Sequence, residues 1–114
     1  MKKIIESDIE KYLIEKCKKE DIFCTKFISY GLSGVPDRLI IQNGYTYFIE
    51  LKKPKGKTRA LQNAVIKKMR SHGALIYCLD NKEDIDKILE SFAKNIIPKQ
   101  TNLIWKELKN GTIL

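Results

Sequence analysis

Apolar residues recur at intervals of three and four near the N-terminus. Ile5, Ile9, Tyr12 and Leu13 fall on one side of residues 4–20, and this spacing predicts an amphipathic helix. The period then changes. Residues 22–28, IFCTKFI, are short and rich in β-branched and aromatic side chains, which predicts a strand. Residues 29–36, SYGLSGVP, predict a loop. Two apolar runs, Arg38–Gln42 and Tyr45–Lys52, flank Asn43-Gly44. Both central positions of a type I′ turn need positive φ, so Asn-Gly between apolar runs predicts a hairpin. Residues 53–57, KPKGK, leave the sheet. A helix is predicted from about Thr58 to His72, with Leu61, Val65 and Met69 as its apolar stripe and Gly73 just past its end. Ala74–Leu79 is an uncharged run of strand length. Asn81 can cap a last helix that buries Ile85, Ile88, Leu89 and Phe92 and is broken by Pro98. The tail predicts one more helix around Leu103–Leu108, in which Trp105 needs a place to bury.

The order is α-β-β-β-α-β-α, with an antiparallel hairpin and a later strand reached through a helix. That combination gives an α/β fold with a mixed central sheet flanked by helices. No repeats, low-complexity segments or linkers divide it.

A two-residue loop also fixes the hairpin register. Gln42 pairs with Tyr45, and counting outward gives Leu39 with Phe48, Arg38 with Ile49 and then Asp37 with Glu50. Directly opposed residues share a face, and alternation adds Lys52 to it. Like charges placed opposite each other beside Phe48 and Leu39 need a cation between them, or one carboxyl must keep its proton. Lys52 supplies only one positive charge, whereas a divalent metal satisfies both acids. Mg²⁺ takes such oxygen ligands together with waters and a substrate phosphate. A salt-bridge cluster at a strand end is the plainer alternative. Glu6, at the border of the first helix's apolar stripe, is a further candidate acid, with Glu10 in reserve. Lys53, Lys55, Lys57 and Arg59 follow where a helix begins, a favourable place for phosphate and hence for nucleic acid. Together these groups point to hydrolysis of a phosphodiester.

Composition narrows the field. One domain fits in 114 residues, and 43% hydrophobic residues are enough for a core. The net charge of +8 suggests a polyanionic partner or a well-solvated surface. Cys17, Cys24 and Cys78 lack paired spacing, which argues against a disulfide framework or a zinc site and for a reducing, cytoplasmic setting. A single histidine, His72, makes chemistry on histidine pairs improbable. No apolar run is long enough to span a membrane, and the N-terminus lacks a signal-peptide pattern.

Gly34-Val35-Pro36-Asp37-Arg38, the hairpin, and Glu50-Leu51-Lys52 at its end resemble the motif of the PD-(D/E)xK nuclease superfamily. With the Glu-bearing first helix and Gln62 on the later one, residues 4–92 resemble the virus-type replication-repair nuclease (VRR-NUC) domain in its small stand-alone phage form. The resemblance implies a restriction-endonuclease-like αβββαβ core spanning residues 1–92, with residues 93–114 as a C-terminal extension. It implies Asp37 and Glu50 as metal-binding acids, the Leu51 carbonyl as a further ligand, Lys52 as the catalytic lysine, and Glu6 and Gln62 as site residues. It implies Mg²⁺, with Mn²⁺ also supporting activity, in a homodimeric endonuclease that cuts branched DNA such as Holliday junctions. Such a protein would be cytoplasmic, in a bacterial host or encoded by its phage.

Two other readings compete: a non-catalytic nucleic-acid-binding module, and a sequence-specific restriction-type endonuclease. The intact acid pair and lysine argue against the first. The short chain leaves the second little room for segments that read base edges. Two-strand cleavage favours a two-fold dimer, with Ile96, Ile97, Leu103, Ile104 and Trp105 as candidate interface residues.

Overall fold

The structure, a computed structural model, describes residues 3–100. Its elements are α1 (Glu6–Lys19), β1 (Phe23–Lys26), β2 (Arg38–Gln42), β3 (Tyr45–Leu51), α2 (Ala60–Ser71), β4 (Leu75–Leu79) and α3 (Lys82–Ala93). The four strands lie in the order β1-β2-β3-β4. The first two pairings are antiparallel, and β3–β4 is parallel because α2 carries the chain back across the sheet. The mixed α/β architecture is the one expected.

The two faces of the sheet are unequal. Ile40, Tyr47, Ile49, Leu51, Tyr77 and Leu79 belong to one core, where they join Ile9, Leu13 and Cys17 of α1 and Ile85, Ile88, Leu89 and Phe92 of α3. Tyr47 stacks on Phe92 with ring centroids 3.8 Å apart. The other side is thinner. Ile66 and Met69 of α2 cover Phe48, Ile76 and Cys78. The alternation that sends Ile49 and Leu51 to the thick core sends Phe48 and Glu50 toward α2.

The three helices among the described residues end in the same backbone device. A residue with positive φ follows the cap, and its N–H and the next one turn back to the last carbonyls. Gly73 (φ 97°) does this for α2, with the Ala74 N–H 3.1 Å from the Met69 carbonyl. Asp21 (φ 56°) does it for α1 and Asn95 (φ 61°) for α3. The last helix therefore stops at Ala93, ahead of Pro98. The hairpin turn is tied to that helix end, since Asn43 Nδ2 donates to the Phe92 carbonyl at 3.2 Å. Asn81 caps α3 as expected, its Oδ1 accepting from the Asp84 N–H at 2.8 Å.

Beyond α3 the chain runs back along β4. The Gln100 side chain accepts from the Ile76 N–H at 2.8 Å, and the Tyr77 hydroxyl donates to the Pro98 carbonyl at 2.6 Å. These contacts cover an edge that would otherwise expose unpaired backbone. Ile96 and Ile97 remain about half exposed. The expected helix around Leu103–Leu108, with Ile104 and Trp105, lies outside the described residues. Among the described residues, no helix is long and apolar enough to cross a membrane.

Candidate active site

The hairpin closes with the register the turn dictates. Gln42 pairs with Tyr45, Leu39 with Phe48 and Arg38 with Ile49. Asn43 (φ 53°) and Gly44 (φ 86°) both take the positive φ of a type I′ turn. One step beyond the last pair, Asp37 and Glu50 come together. The Asp37 backbone is held from outside by the Phe27 N–H, 2.9 Å from its carbonyl oxygen. Its side chain reaches across the strand end, where Oδ2 accepts from the Leu51 N–H at 2.9 Å.

Glu50 is 1% exposed. Its Oε2 accepts from Gln62 Nε2 at 3.0 Å and lies 3.3 Å from Lys52 Nζ. Gln62 is the hinge of this group. Its Oε1 accepts from Lys52 Nζ at 3.1 Å and from the Arg59 N–H at 3.0 Å. The second contact is the reciprocal half of a helix capping box, so the residue that caps the start of α2 also ties that helix to the acid and the lysine.

The other Glu50 oxygen, Oε1, is buried and has no hydrogen-bond partner. A buried carboxylate oxygen without a donor costs desolvation energy that nothing returns. Burial, and next the Asp37 charge, push the Glu50 carboxyl up to about 7, against the pull of Lys52. Asp37 is also raised, chiefly by burial, although its bond from Leu51 opposes this. Two acids with elevated proton affinity, one with an orphaned oxygen, form a donor set that fits a hard divalent cation. No cluster of three or more His, Cys, Asp and Glu side chains suited to a metal forms among the described residues. The candidate donors are the two carboxylates alone, and backbone carbonyl and water would have to complete the shell of a cation such as Mg²⁺.

No family model matches the chain. A protein of Acyrthosiphon pisum secondary endosymbiont phage 1, named "Putative nuclease p44", is 36% identical over 90 residues, covering 78% of this chain and 96% of its own. A solved structure described as a VRR_NUC domain superposes with a TM-score of 0.68 at 26% identity, covering 76% of this chain and 96% of that one. The chain belongs to the VRR-NUC family.

The remaining site candidates of this VRR-NUC chain lie on α1 and on the segment between β3 and α2. Glu6 is exposed in the first turn of α1, and its charge helps to raise the Glu50 carboxyl. Glu10 is committed elsewhere: its Oε2 accepts from Arg38 Nε at 3.0 Å, and only its charge is felt at Asp37. Arg38 neighbours Asp37 in sequence, and strand alternation turns it to the other face, toward α1. Lys53, Lys55, Lys57 and Arg59 are all exposed on the segment that leaves the site between β3 and α2.

Sequence reasoning missed Asp80. It is 6% exposed, and its Oδ2 accepts from the Lys55 N–H at 2.7 Å. Its other oxygen accepts from Asn81 Nδ2 at 2.8 Å. The bond to Lys55 fixes a turn closed by the Gly56 N–H on the Lys53 carbonyl, 2.8 Å apart, in which Lys55 takes φ 61°. Its only sequence signal is an acid directly after an apolar strand, a place more often solvated.

Proposed function

We propose that this VRR-NUC protein is a divalent-metal-dependent nuclease that hydrolyses phosphodiester bonds of DNA, with branched DNA as its preferred substrate. The observation that carries this reading is the buried Glu50 beside Asp37, with one oxygen lacking any donor. Family membership supports the nuclease assignment. Asp37 and Glu50, with the Leu51 carbonyl, would hold Mg²⁺ or Mn²⁺. A metal bound there supplies charge to a phosphate oxygen and acidity to a water.

The chain's own groups do the rest. Lys52 Nζ stands between Glu50 and Gln62, positioned to hydrogen-bond the attacking water and to offset charge growing on the phosphorus oxygens. Gln62 keeps that ammonium oriented. Glu6, on the solvent side, accepts hydrogen bonds from waters at the mouth of the site. Lys53, Lys55, Lys57 and Arg59 bind phosphates next to the scissile one. Paired cuts across a branch need two such sites, which favours a homodimer.

The test is a cleavage panel of four-way junction, flap, splayed arm and linear duplex, with Mg²⁺ or with chelator. The expected outcome is metal-dependent cutting of branched DNA that Asp37→Ala and Glu50→Ala abolish while circular dichroism stays unchanged. Wild-type rates in either variant would overturn the assignment, and binding without cleavage would favour a non-catalytic module. Light scattering that shows a fully active monomer would remove the dimer.

A further inference from the structure

The site is flanked by two chain segments of opposite character. One is the basic segment 53–59. The other is the loop from Phe27 to Asp37, whose ends meet where the Phe27 N–H reaches the Asp37 carbonyl. Between those ends, residues 28–36 (ISYGLSGVP) contain no charged side chain, in a protein where 32% of residues are charged. They nevertheless expose apolar surface. Ile28 is 58% exposed, Leu32 50% and Tyr30 99%, and all three could have been polar at little cost to the core.

This loop is anchored. Gly34, at φ +85°, lies so close to α2 that a Cβ there would sit 3.2 Å from Leu61 Cγ and 3.3 Å from Val65 Cγ2. Pro36 is buried beside it. Phe27 packs edge-on against Phe48, with ring centroids 5.3 Å apart. Both feet of the loop are fixed to the elements that carry Glu50 and Gln62, and the aromatic tip stands clear in solvent.

Duplex DNA presents phosphates at its surface and hides its base faces. The basic segment suits the first, and to it the uncharged tip can add only hydroxyl hydrogen bonds, leaving its aromatic face unused. Base faces become available where stacking is interrupted, and aromatic side chains recognise them without regard to sequence. We propose that Tyr30, supported by Leu32, stacks on an unstacked base at the branch point and so makes the nuclease selective for branched over continuous duplex DNA. This rests on the nuclease reading above and adds the element that distinguishes substrates. The basic segment then supplies general affinity and the apolar loop supplies shape discrimination.

The experiment pairs cleavage with a probe that does not need it. Wild type, Tyr30→Ala and Tyr30→Phe are compared on a four-way junction and a linear duplex of the same length with Mg²⁺. Each substitution is then placed in the Asp37→Ala background and bound to a junction carrying 2-aminopurine at the branch point. The expected result is about a tenfold loss of kcat/KM on the junction for Tyr30→Ala, mostly in KM, with duplex nicking unchanged. Tyr30→Phe should retain both activities. The 2-aminopurine should be quenched in complexes that keep an aromatic ring at this position, whether the native Tyr30 or the Tyr30→Phe variant, and brighter with Tyr30→Ala. If the wild-type protein cuts no DNA but quenching still follows the aromatic ring, the nuclease reading fails and the stacking assignment stands. If it cuts junctions and Tyr30→Ala changes neither preference nor quenching, the stacking assignment is overturned and the nuclease reading survives. Equal losses on junction and duplex would also overturn it.

Discussion

Glu50 shows what a buried acid costs a fold. Its carboxyl is raised from 4.5 to about 7, so the native state binds a proton more tightly than the unfolded chain does. The contribution of Glu50 to the stability of the metal-free protein therefore falls as pH rises from about 4.5 to about 7, and its penalty is complete above that. Glu50→Gln removes the penalty. It is expected to stabilise the chelator-treated protein by up to about 3 kcal/mol at a pH of about 8 and by almost nothing at a pH of about 4. Urea denaturation at the two pH values checks this, and an equal effect at both would show that the burial cost does not arise from ionisation. Gln62→Ala should lower cleavage through loss of lysine orientation and also cost about 1 kcal/mol of stability, because it removes the side chain that caps α2. Much of this cluster was legible in the sequence, since a two-residue turn and strict alternation dictate where Asp37, Glu50 and Lys52 meet. Gln62 entered only by resemblance. Asp80 was hidden because its partner is a backbone N–H, that of Lys55, and backbone groups leave no trace in residue identity. Glu10, held in reserve as the first-helix acid, is instead paired with Arg38.

Elements were easiest to read where chemistry forces geometry. Asn43-Gly44, Gly73 and Asn81 each mark a turn or a helix end that the structure reproduces. Ends set by residues other than glycine were harder. Asp21 and Asn95 take left-handed φ that their side chains only tolerate, and the helix end before Pro98 was missed for that reason. Asp21 has a second disadvantage, a negative charge at the negative end of α1. Asp21→Gly should therefore raise stability by about 0.5–1 kcal/mol, seen as a higher melting temperature with unchanged cleavage. A decrease would mean that the Asp21 side chain makes a contact worth more than its strain. Gly34→Ala should do the opposite. Its φ of +85° and its approach to Leu61 and Val65 leave little room for a Cβ. The expected cost is about 1–3 kcal/mol. Because this glycine anchors the loop that ends at Asp37, cleavage should fall further than stability alone explains at temperatures where the variant is fully folded.

At the scale of the whole molecule, the net charge of +8 matters less than where the site collects it. Lys53, Lys55, Lys57 and Arg59 follow one another at alternate positions, all exposed, and the turn that carries the first two is pinned to the body by Asp80. A flexible basic tail would bind DNA as a diffuse cloud, whereas a pinned turn holds its charges against particular phosphates. Salt dependence separates the two arrangements. Each phosphate contact releases condensed counterions, so the slope of log K against log salt changes by about 0.9 for every contact removed. With cleavage blocked by Asp37→Ala, neutralising Lys55 or Lys57 should each lower the slope of duplex binding by about one. Asp80→Ala leaves every lysine in place but frees the Lys55 N–H and its turn. If the pinning matters, that variant should show a reduced slope as well, although its net charge has become more positive. A slope that is unchanged or steeper would mean that the basic segment binds through charge alone and that Asp80 serves only the fold.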